Sequence, residues 1–496
     1  MKTLSKSRFV SGIQCDKKIW FDFYRKDLKL PTDDQTQAVF DLGHRIGILA
    51  QEMFPNGRDA TPEDYSYLKP SIENTERWIS EKVETIYEAT FSAKNTFCML
   101  DILHRNEDEV WAIEVKSSTS VKDYHFTDAS LQYFVMKNAG FAPDRFFMMH
   151  INNQYVKQGE ITSEIFTLTD ITVQVLANQD WVSENLDRLL KMLEIELEPV
   201  VEIGGHCSDP FGCDYAHHCW KHVPPYSVFN LYRGGNKGWK LYQQNILKIE
   251  DIPEDFPLTH FQKLQRNGLQ VQQRHIDKKA IKNIISRWEF PLYFFDFETV
   301  FPAIPVLDGT RPYQQVPFQY SLHILDEDGK LTHKEFLANP KDFSNGKNPL
   351  KQMVEHLKKD FGNTGNIVTY NQSFEVGRLN DLAKYFPEDA DFLHQLVVRI
   401  VDLLPVFQGG NCYFPEMKNS ASIKSVLPAI APDFTYENLK IQDGGSASSL
   451  FYESMLDDSK NTPALRTNLL KYCERDTYGM VVIYQFLMNQ MNTFKT

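Results

Sequence analysis

Hydrophobic positions in the N-terminal part of the chain follow helical and then strand periodicity. Residues 1–85 are mainly helical in pattern, with amphipathic stretches at 35–53 and 72–87. Two apolar runs at 97–103 and 110–116 flank a polar, turn-rich stretch, which predicts a hairpin or two adjacent strands. The same criteria then predict a helix at 127–138, a strand at 145–151 and a helix at 179–197.

A second pattern of alternating strands and helices begins with an apolar run at 292–298. Before it, residues 226–287 show short helical patterns without an obvious strand. Strands at 318–325 and 366–370, and helices at 349–361, 374–386 and 461–488, are predicted after it. We therefore expect an α/β protein with domains at 1–225 and 288–496, joined by a helical connector at 226–287.

Composition and charge narrow the class of protein. The chain has 496 residues, 42% of them hydrophobic and 24% charged, which is typical of globular proteins with sizeable cores. A net charge of −13 disfavours a protein that coats nucleic acid non-specifically, but not a nuclease whose carboxylates hold cations. Neither a signal-peptide pattern nor an apolar run of about 18 residues is found. We expect a cytoplasmic protein with no membrane partner.

Acidic residues in the C-terminal part fall into three groups on predicted strands and helices. Asp296 and Glu298 are two apart on a strand, so both side chains share one face. Glu375 lies in the first turn of a helix that follows a strand. Tyr472 and Asp476 are four apart on a helix and point the same way. Carboxylates without histidine suit Mg²⁺ or Mn²⁺, and two such ions can activate water and stabilise a leaving oxygen.

These three groups resemble the motifs of DnaQ-type, or DEDD, 3′-to-5′ exonucleases, which have an RNase H-like fold. The resemblance implies that two divalent ions are bound by Asp296, Glu298, Glu375 and Asp476. It also implies that Tyr472 orients the attacking water. The second motif departs from the family, which usually has Asp at the place of Glu375. Asp402 ends another apolar run, where it either approaches this site or has a strand-end or capping role.

A second candidate site lies on the two adjacent strands of the N-terminal part. Asp101 is on the first strand, and Glu114 and Lys116 share a face of the second. Two carboxylates can bind a metal while a lysine positions the hydrolytic water. The alternative is that Glu114 and Lys116 form an ordinary solvated pair on a surface strand.

Two helical residues connect this trio with a known family. Gln132 follows on the next helix, and His44 lies on an earlier one. The order resembles the PD-(D/E)xK nucleases of the RecB-like group, which have a restriction-endonuclease-like fold. The resemblance implies that His44 completes the metal site, with Glu52 as the competing candidate, and that Gln132 supports it. Met136 stands where the family has a tyrosine, and Tyr133 directly follows the glutamine.

Cysteines cluster late in the N-terminal part. Cys207, Cys213 and Cys219 are six apart, and Cys15 is a plausible fourth member. One early and three late cysteines resemble the iron-sulfur clasp of RecB-like nucleases, where a [4Fe-4S] cluster ties the ends of the domain together. Zn²⁺ is the alternative, since four thiolates suit it and a nearby histidine could replace one: His206, His217, His218 or His222. The remaining cysteines are interpreted as ordinary buried residues: Cys98, Cys412 and Cys473.

The combination of both signatures is similar to a bacterial two-nuclease family of unknown function whose members begin with a Leu-Ser-Lys-Ser-Arg-Phe segment. The expected activity is metal-dependent hydrolysis of phosphodiester bonds. Single-stranded DNA or DNA ends are favoured over RNA by the resemblance alone. DNA repair and phage defence are both compatible with this activity. The alternative is a nucleic-acid-binding or redox-sensing assembly factor in which one or both centres are inactive. Protein partners and oligomeric state do not follow from the sequence.

Overall fold

The computed structural model describes residues 2–492 and divides the chain into two compact units, both of mixed α/β structure. The N-terminal unit runs to His222 and also contains Ala303–Tyr313. The C-terminal unit consists of Val223–Pro302 and the chain from Gln314 onward. Residues 226–287, expected as a connector, therefore group with the C-terminal unit.

Among the described residues of the N-terminal unit, seven strands form one sheet: β1 (Leu4–Ser5), β2 (Arg58–Asp59), β3 (Thr85–Ala93), β4 (Thr96–Asn106), β5 (Glu109–Lys116), β6 (Arg145–Ile151) and β7 (Phe166–Asp170). Strands β2 to β7 are neighbours in chain order, and β1 pairs with β4. The pair β5 and β6 is parallel, whereas β3, β4 and β5 form an antiparallel meander.

Eight helices belong to the described part of this unit: α1 (Lys6–Gln14), α2 (Asp16–Tyr24), α3 (Asp34–Glu52), α4 (Lys69–Ser80), α5 (Asp123–Asn138), α6 (Thr172–Ala177), α7 (Gln179–Leu193) and α8 (Ala216–Cys219). Successive residues of β5 face two different cores, as the pleat requires. Ala112 packs into the core formed with α1, α5 and α7. Ile113 packs into a second core with Ile46 and Ala50 of α3.

Up to residue 492, the C-terminal unit has a five-stranded sheet and a two-stranded one, formed by β8 (His275–Ile276), β9 (Leu292–Val300), β10 (Val316–Leu325), β11 (Leu331–Leu337), β12 (Ile367–Thr369), β13 (Ile400–Asp402) and β14 (Cys412–Tyr413). The larger sheet has the order β11-β10-β9-β12-β13. Strand β9 is antiparallel to β10 and parallel to β12. Its continuous apolar run is explained by burial, because helices pack against this central strand and most of its residues are buried.

Ten helices complete the described part of the C-terminal unit: α9 (Lys237–Tyr242), α10 (His260–Val271), α11 (Lys278–Ile285), α12 (Pro349–Asp360), α13 (Ser373–Tyr385), α14 (Ala390–Val398), α15 (Leu404–Gln408), α16 (Ile423–Ile430), α17 (Gly444–Leu456) and α18 (Pro463–Asn492). The short helices α9 to α11 confirm the helical pattern expected for 226–287, although β8 adds a two-residue strand there. None of the described helices is long and apolar enough to span a membrane.

One helix prediction, at 72–87, is wrong at its end. Helix α4 stops at Ser80, and Thr85–Ala93 is strand β3. The β-branched and aromatic residues that begin this strand suit a paired, half-buried surface better than a helix. Lys94 and Asn95, both at positive φ, form the two-residue turn that leads into β4, as is typical of a tight hairpin.

Candidate functional site

Strand β9 brings two carboxylates of the C-terminal unit onto one face. Asp296 and Glu298 are separated by the buried Phe297, whose side chain points to the other face. Ligand atoms of Asp296, Glu298 and Cys473 all lie within 4.8 Å of one another. The thiol of Cys473, on α18, is 3.8 Å from Asp296 Oδ2. Cys473 is buried as expected, but it adjoins the acidic site, which the sequence did not indicate.

Helix α18 supplies the third carboxylate and a tyrosine. Asp476 Oδ1 accepts a hydrogen bond of 2.6 Å from the hydroxyl of Tyr436. Tyr472 is buried and also hydrogen-bonds Asp476. Gly444 shows how closely the groups approach, since a Cβ atom built there would lie 3.5 Å from Glu298 Oε2 and 3.9 Å from the Tyr472 hydroxyl. Two motifs far apart in the sequence therefore meet beside the start of α17.

Glu375 approaches the same site from the first turn of α13. Its side chain is buried, and Oε2 has no hydrogen-bond partner in the described part of the chain. The chain enters this helix through Asn371, whose φ is 80°. Asp402 stabilises that turn by accepting hydrogen bonds from the backbone N–H groups of Asn371 (2.9 Å) and Gln372 (3.1 Å). Asp402 thus has a capping role at this turn.

Burial and mutual repulsion dominate the electrostatics of this site. Burial, followed by the neighbouring carboxylates, raises the pKa of Asp296 and Glu298 well above the usual range. Burial also raises the pKa of Asp476, although hydrogen bonds from Tyr436 and the charge of Lys424 oppose the shift. The pKa of Glu375 is raised to about 8, mainly by burial. A cation among these groups would favour their ionised forms.

In the N-terminal unit, Glu114 is the centre of a buried network. Its Oε1 accepts hydrogen bonds of 2.7 Å from both Lys116 and Lys6, and its Oε2 accepts one of 2.8 Å from Gln132. Lys116 also forms a 2.8 Å ion pair with Asp128. The structure therefore brings together Glu114, Lys116 and Gln132, as the sequence predicted, and adds Lys6 and Asp128.

Asp101 and Glu88 lie beside this network, and their pKa values shift in the opposite direction from that of Glu114. Burial alone would raise the pKa of Glu114, but Lys116 and Lys6 hold it well below the usual range. Burial and Glu114 raise the pKa of Asp101 to about 7. Burial and Asp101 raise the pKa of Glu88 to about 8. Asp101 Oδ2 accepts a 2.6 Å hydrogen bond from the backbone N–H of Val115.

Glu88 is a member of this site that sequence reasoning missed. It lies opposite Asp101, where the pairing of β3 with β4 is interrupted without a change of register, and its φ of 51° is uncommon for a residue other than glycine. No strand was predicted there, so the residue had no assigned face. His44, by contrast, lies on the exposed part of α3, as does its competitor Glu52. In the described structure, the charges that shift the pKa of Asp101 are those of Glu114, Lys6 and Lys116, and His44 is not among them.

The four predicted cysteines line one small cavity of about 20 Å³. Cys207 and Cys213 are linked through the backbone, since the N–H of Cys213 donates to the carbonyl of Cys207 at 3.0 Å. Gln14, next to Cys15, donates to the carbonyls of His206 (2.7 Å) and Phe211 (2.6 Å). The early and late cysteines are thus held together by ordinary hydrogen bonds. Burial raises the pKa of the Cys213 thiol to about 11.

Both units therefore define a mixed α/β protein with buried acidic clusters and a separate group of thiols. A protein family described as "Domain of unknown function (DUF2779)" matches residues 293–422. The matched region contains Asp296, Glu298 and Glu375 but ends before Asp476.

Three curated proteins, all named as uncharacterized, are similar to part of this chain. One from Mycoplasma pneumoniae is 29% identical over 234 residues, which is 42% of this chain and 35% of that protein. One from Mycoplasma genitalium is 28% identical over 225 residues, 42% of this chain and 33% of that protein. One from Ureaplasma parvum is 23% identical over 285 residues, 51% of this chain and 38% of that protein. The chain thus spans about a third of the length of these relatives.

Proposed function

We propose that this protein is a metal-dependent nuclease whose C-terminal centre is a DnaQ-type 3′-to-5′ exonuclease site on an RNase H-like fold. The observation that supports it best is the convergence of four carboxylates with raised pKa values. Three of them are buried, and Oε2 of Glu375 has no hydrogen-bond partner among the described residues. Buried acids without compensation are costly, so they indicate a site built for a cation or for proton transfer.

The donor set fits Mg²⁺ or Mn²⁺. Asp296, Glu298, Glu375 and Asp476 offer carboxylate oxygens, which hard divalent ions prefer. Two bound ions would lower the pKa of a water and stabilise the leaving oxygen of a phosphodiester. Cys473 adds a soft donor that Mg²⁺ disfavours and Mn²⁺ tolerates better, which makes a comparison of the two ions informative.

Residues around the carboxylates would position the reacting groups. Burial, and then the negative charges of Asp476 and Glu298, raise the pKa of Tyr472, so its hydroxyl keeps its proton at neutral pH. That proton is directed to Asp476, and the hydroxyl oxygen can still accept a hydrogen bond from a water. Tyr436 fixes one oxygen of Asp476. Lys424 supplies a positive charge close by, with Nζ 5.2 Å from the centre of the Tyr472 ring.

The N-terminal unit is proposed to be a second centre, of PD-(D/E)xK type on a restriction-endonuclease-like fold. Asp101 and Glu114 would hold the metal, Lys116 would position water, and Gln132 would orient Glu114. A specific observation favours an inactive centre as the second candidate here. Both oxygens of Glu114 are already occupied by Lys6, Lys116 and Gln132, so a cation would have to displace at least one of them.

The cysteine cavity is proposed to hold a [4Fe-4S] cluster, with Zn²⁺ as the alternative. The support is that four thiols from both ends of the N-terminal unit line one cavity: Cys15, Cys207, Cys213 and Cys219. Thiolate donors suit both kinds of centre. The preference for DNA, single-stranded or at ends, over RNA rests on the family resemblance alone.

Cleavage of labelled DNA and RNA strands by the purified full chain with Mg²⁺ or Mn²⁺ tests the function. We expect Asp296→Asn to abolish shortening from the 3′ end, and Lys116→Met to remove any activity of the N-terminal centre. Matched controls are exposed residues of the same units, Asp391→Asn and Lys191→Met. Undiminished cleavage by the Asp296→Asn, Lys116→Met double variant would reject the assignment. Strand binding without any cleavage by the wild type would favour the assembly-factor alternative.

A further inference from the structure

An open cavity of about 340 Å³ lies in the C-terminal unit on the exposed side of α18. This volume is in the range of small-molecule sites. Its six lining residues are His323, Leu439, Lys471, Glu474, Arg475 and Tyr478. The four helical members are spaced three, one and three residues apart, so they share one face of α18. We call this feature the α18 cavity.

The α18 cavity borders the carboxylate site along three elements. On α18, Lys471 and Arg475 each directly precede a residue of that site. On β10, His323 lies two residues beyond Ser321, which pairs with Asp296. The loop before α17 contributes Leu439 to the cavity and Tyr436 to Asp476. A bound polymer that extends from the carboxylate site along these elements would therefore pass over the α18 cavity.

Charge in the α18 cavity comes from two cations and one acid. In the described structure, neither Lys471 nor Arg475 forms an ion pair with a carboxylate. The guanidinium of Arg475 packs against the Phe434 ring, at 4.6 Å from its centre. Burial, followed by His333, lowers the pKa of His323 to about 4, so this histidine is neutral at physiological pH. In a chain of net charge −13, two cations without a carboxylate partner beside an acidic site favour an anionic ligand.

An exposed aromatic ring stands next to these cations. Tyr478 is 42% exposed, and its ring is supported by His323 at 5.5 Å and by Phe434 at 6.0 Å between centroids. Proteins that bind single-stranded nucleic acids use aromatic rings beside cations, because the bases stack on the ring and the phosphates contact the cations.

We propose that the α18 cavity is a nucleotide subsite for single-stranded nucleic acid, with a backbone phosphate on Lys471 and Arg475 and a base stacked on Tyr478. The assignment rests on the proposed function of the carboxylate site and extends it to substrate binding. Glu474 lines the same cavity, and its negative charge would repel the phosphate and so weaken the binding of the strand.

Binding can be measured apart from cleavage. The full chain in EDTA is titrated into a fluorescent single-stranded DNA of about 12 nucleotides, and in a parallel arm into the same RNA. We expect Tyr478→Ala to weaken binding about 5-fold or more, and Tyr478→Phe, which keeps the ring, to stay within about 2-fold. Arg475→Gln should weaken binding and reduce the slope of log affinity against log salt by about 0.7.

Glu474→Gln gives the readout that a purely structural role would not produce, because it should tighten binding at low salt. Tyr65→Ala, an exposed tyrosine of the N-terminal unit, is the matched control and should bind like the wild type. Unchanged melting temperatures check the fold of each variant. The proposal is overturned if wild type binds neither strand, or if Tyr478→Ala and Arg475→Gln bind both as tightly as wild type. Variant-sensitive binding by a protein that cleaves nothing would keep the subsite and reject the proposed nuclease activity.

Discussion

Replacing Glu375 with glutamine should stabilise the metal-free protein at alkaline pH. Its pKa is raised from 4.5 to about 8 in the folded state, chiefly by burial. A carboxyl group with a raised pKa binds its proton more tightly when folded, so stability falls as pH rises from 4.5 through the folded pKa. From these two values, the ionisable side chain costs about 2 kcal/mol at pH 6 and about 4 kcal/mol at pH 8. Glutamine cannot ionise and escapes this cost.

The assay is urea denaturation of the full chain in EDTA, between about pH 5 and pH 9. We expect the free energy of unfolding of Glu375→Gln to exceed that of wild type increasingly as pH rises, with little gain at the acidic end. Glu327→Gln, an exposed glutamate in the turn between β10 and β11, should follow the wild-type curve. Parallel curves for Glu375→Gln and wild type would show that folding does not raise the pKa of Glu375. Added Mn²⁺ should stabilise wild type more at high pH than at low pH, because protons compete with the ion for the carboxylates.

Three further predictions concern Lys6, Tyr436 and the cysteine cavity. Lys6→Met should lower the free energy of unfolding by about 2 kcal/mol at pH 7, because Glu114 loses a charged partner; an unchanged urea midpoint would contradict this. Tyr436→Phe removes a hydrogen bond that lowers the pKa of Asp476, so the pH of half-maximal activity should move upward; an unmoved pH profile would contradict it. Anaerobically purified protein should be brown and contain iron, and Cys213→Ser should lose both; stoichiometric zinc would replace the iron-sulfur assignment.

Local patterns in the sequence were sufficient to predict the central strand and the helices that position the acidic site. Strand β9 lies where its apolar run predicted it, and α13 begins at Ser373, so Glu375 is in its first turn. These features depend on residues within a few positions of one another, which is what periodicity reports. The pleat then placed Asp296 and Glu298 on one face without any knowledge of the rest of the fold.

Residues that joined the sites from a distance were not predicted. Lys6 reaches Glu114 across 108 positions, and Tyr436 reaches Asp476 across 40. No periodicity connects such residues, because tertiary packing alone brings them together. Glu88 was missed for a different reason, because a helix rather than a strand was predicted up to Tyr87, and no local pattern indicates the positive φ of Glu88.

The carboxylates of the C-terminal unit are proposed to hydrolyse phosphodiester bonds with bound metal. The most direct test is digestion of a 5′-labelled single-stranded DNA by the Lys116→Met protein, in which the C-terminal centre is the one left intact. We expect stepwise shortening from the 3′ end in Mn²⁺ or Mg²⁺, no reaction in EDTA, and no reaction when Asp296→Asn is added. Metal-dependent shortening that survives Asp296→Asn in this background would contradict the claim.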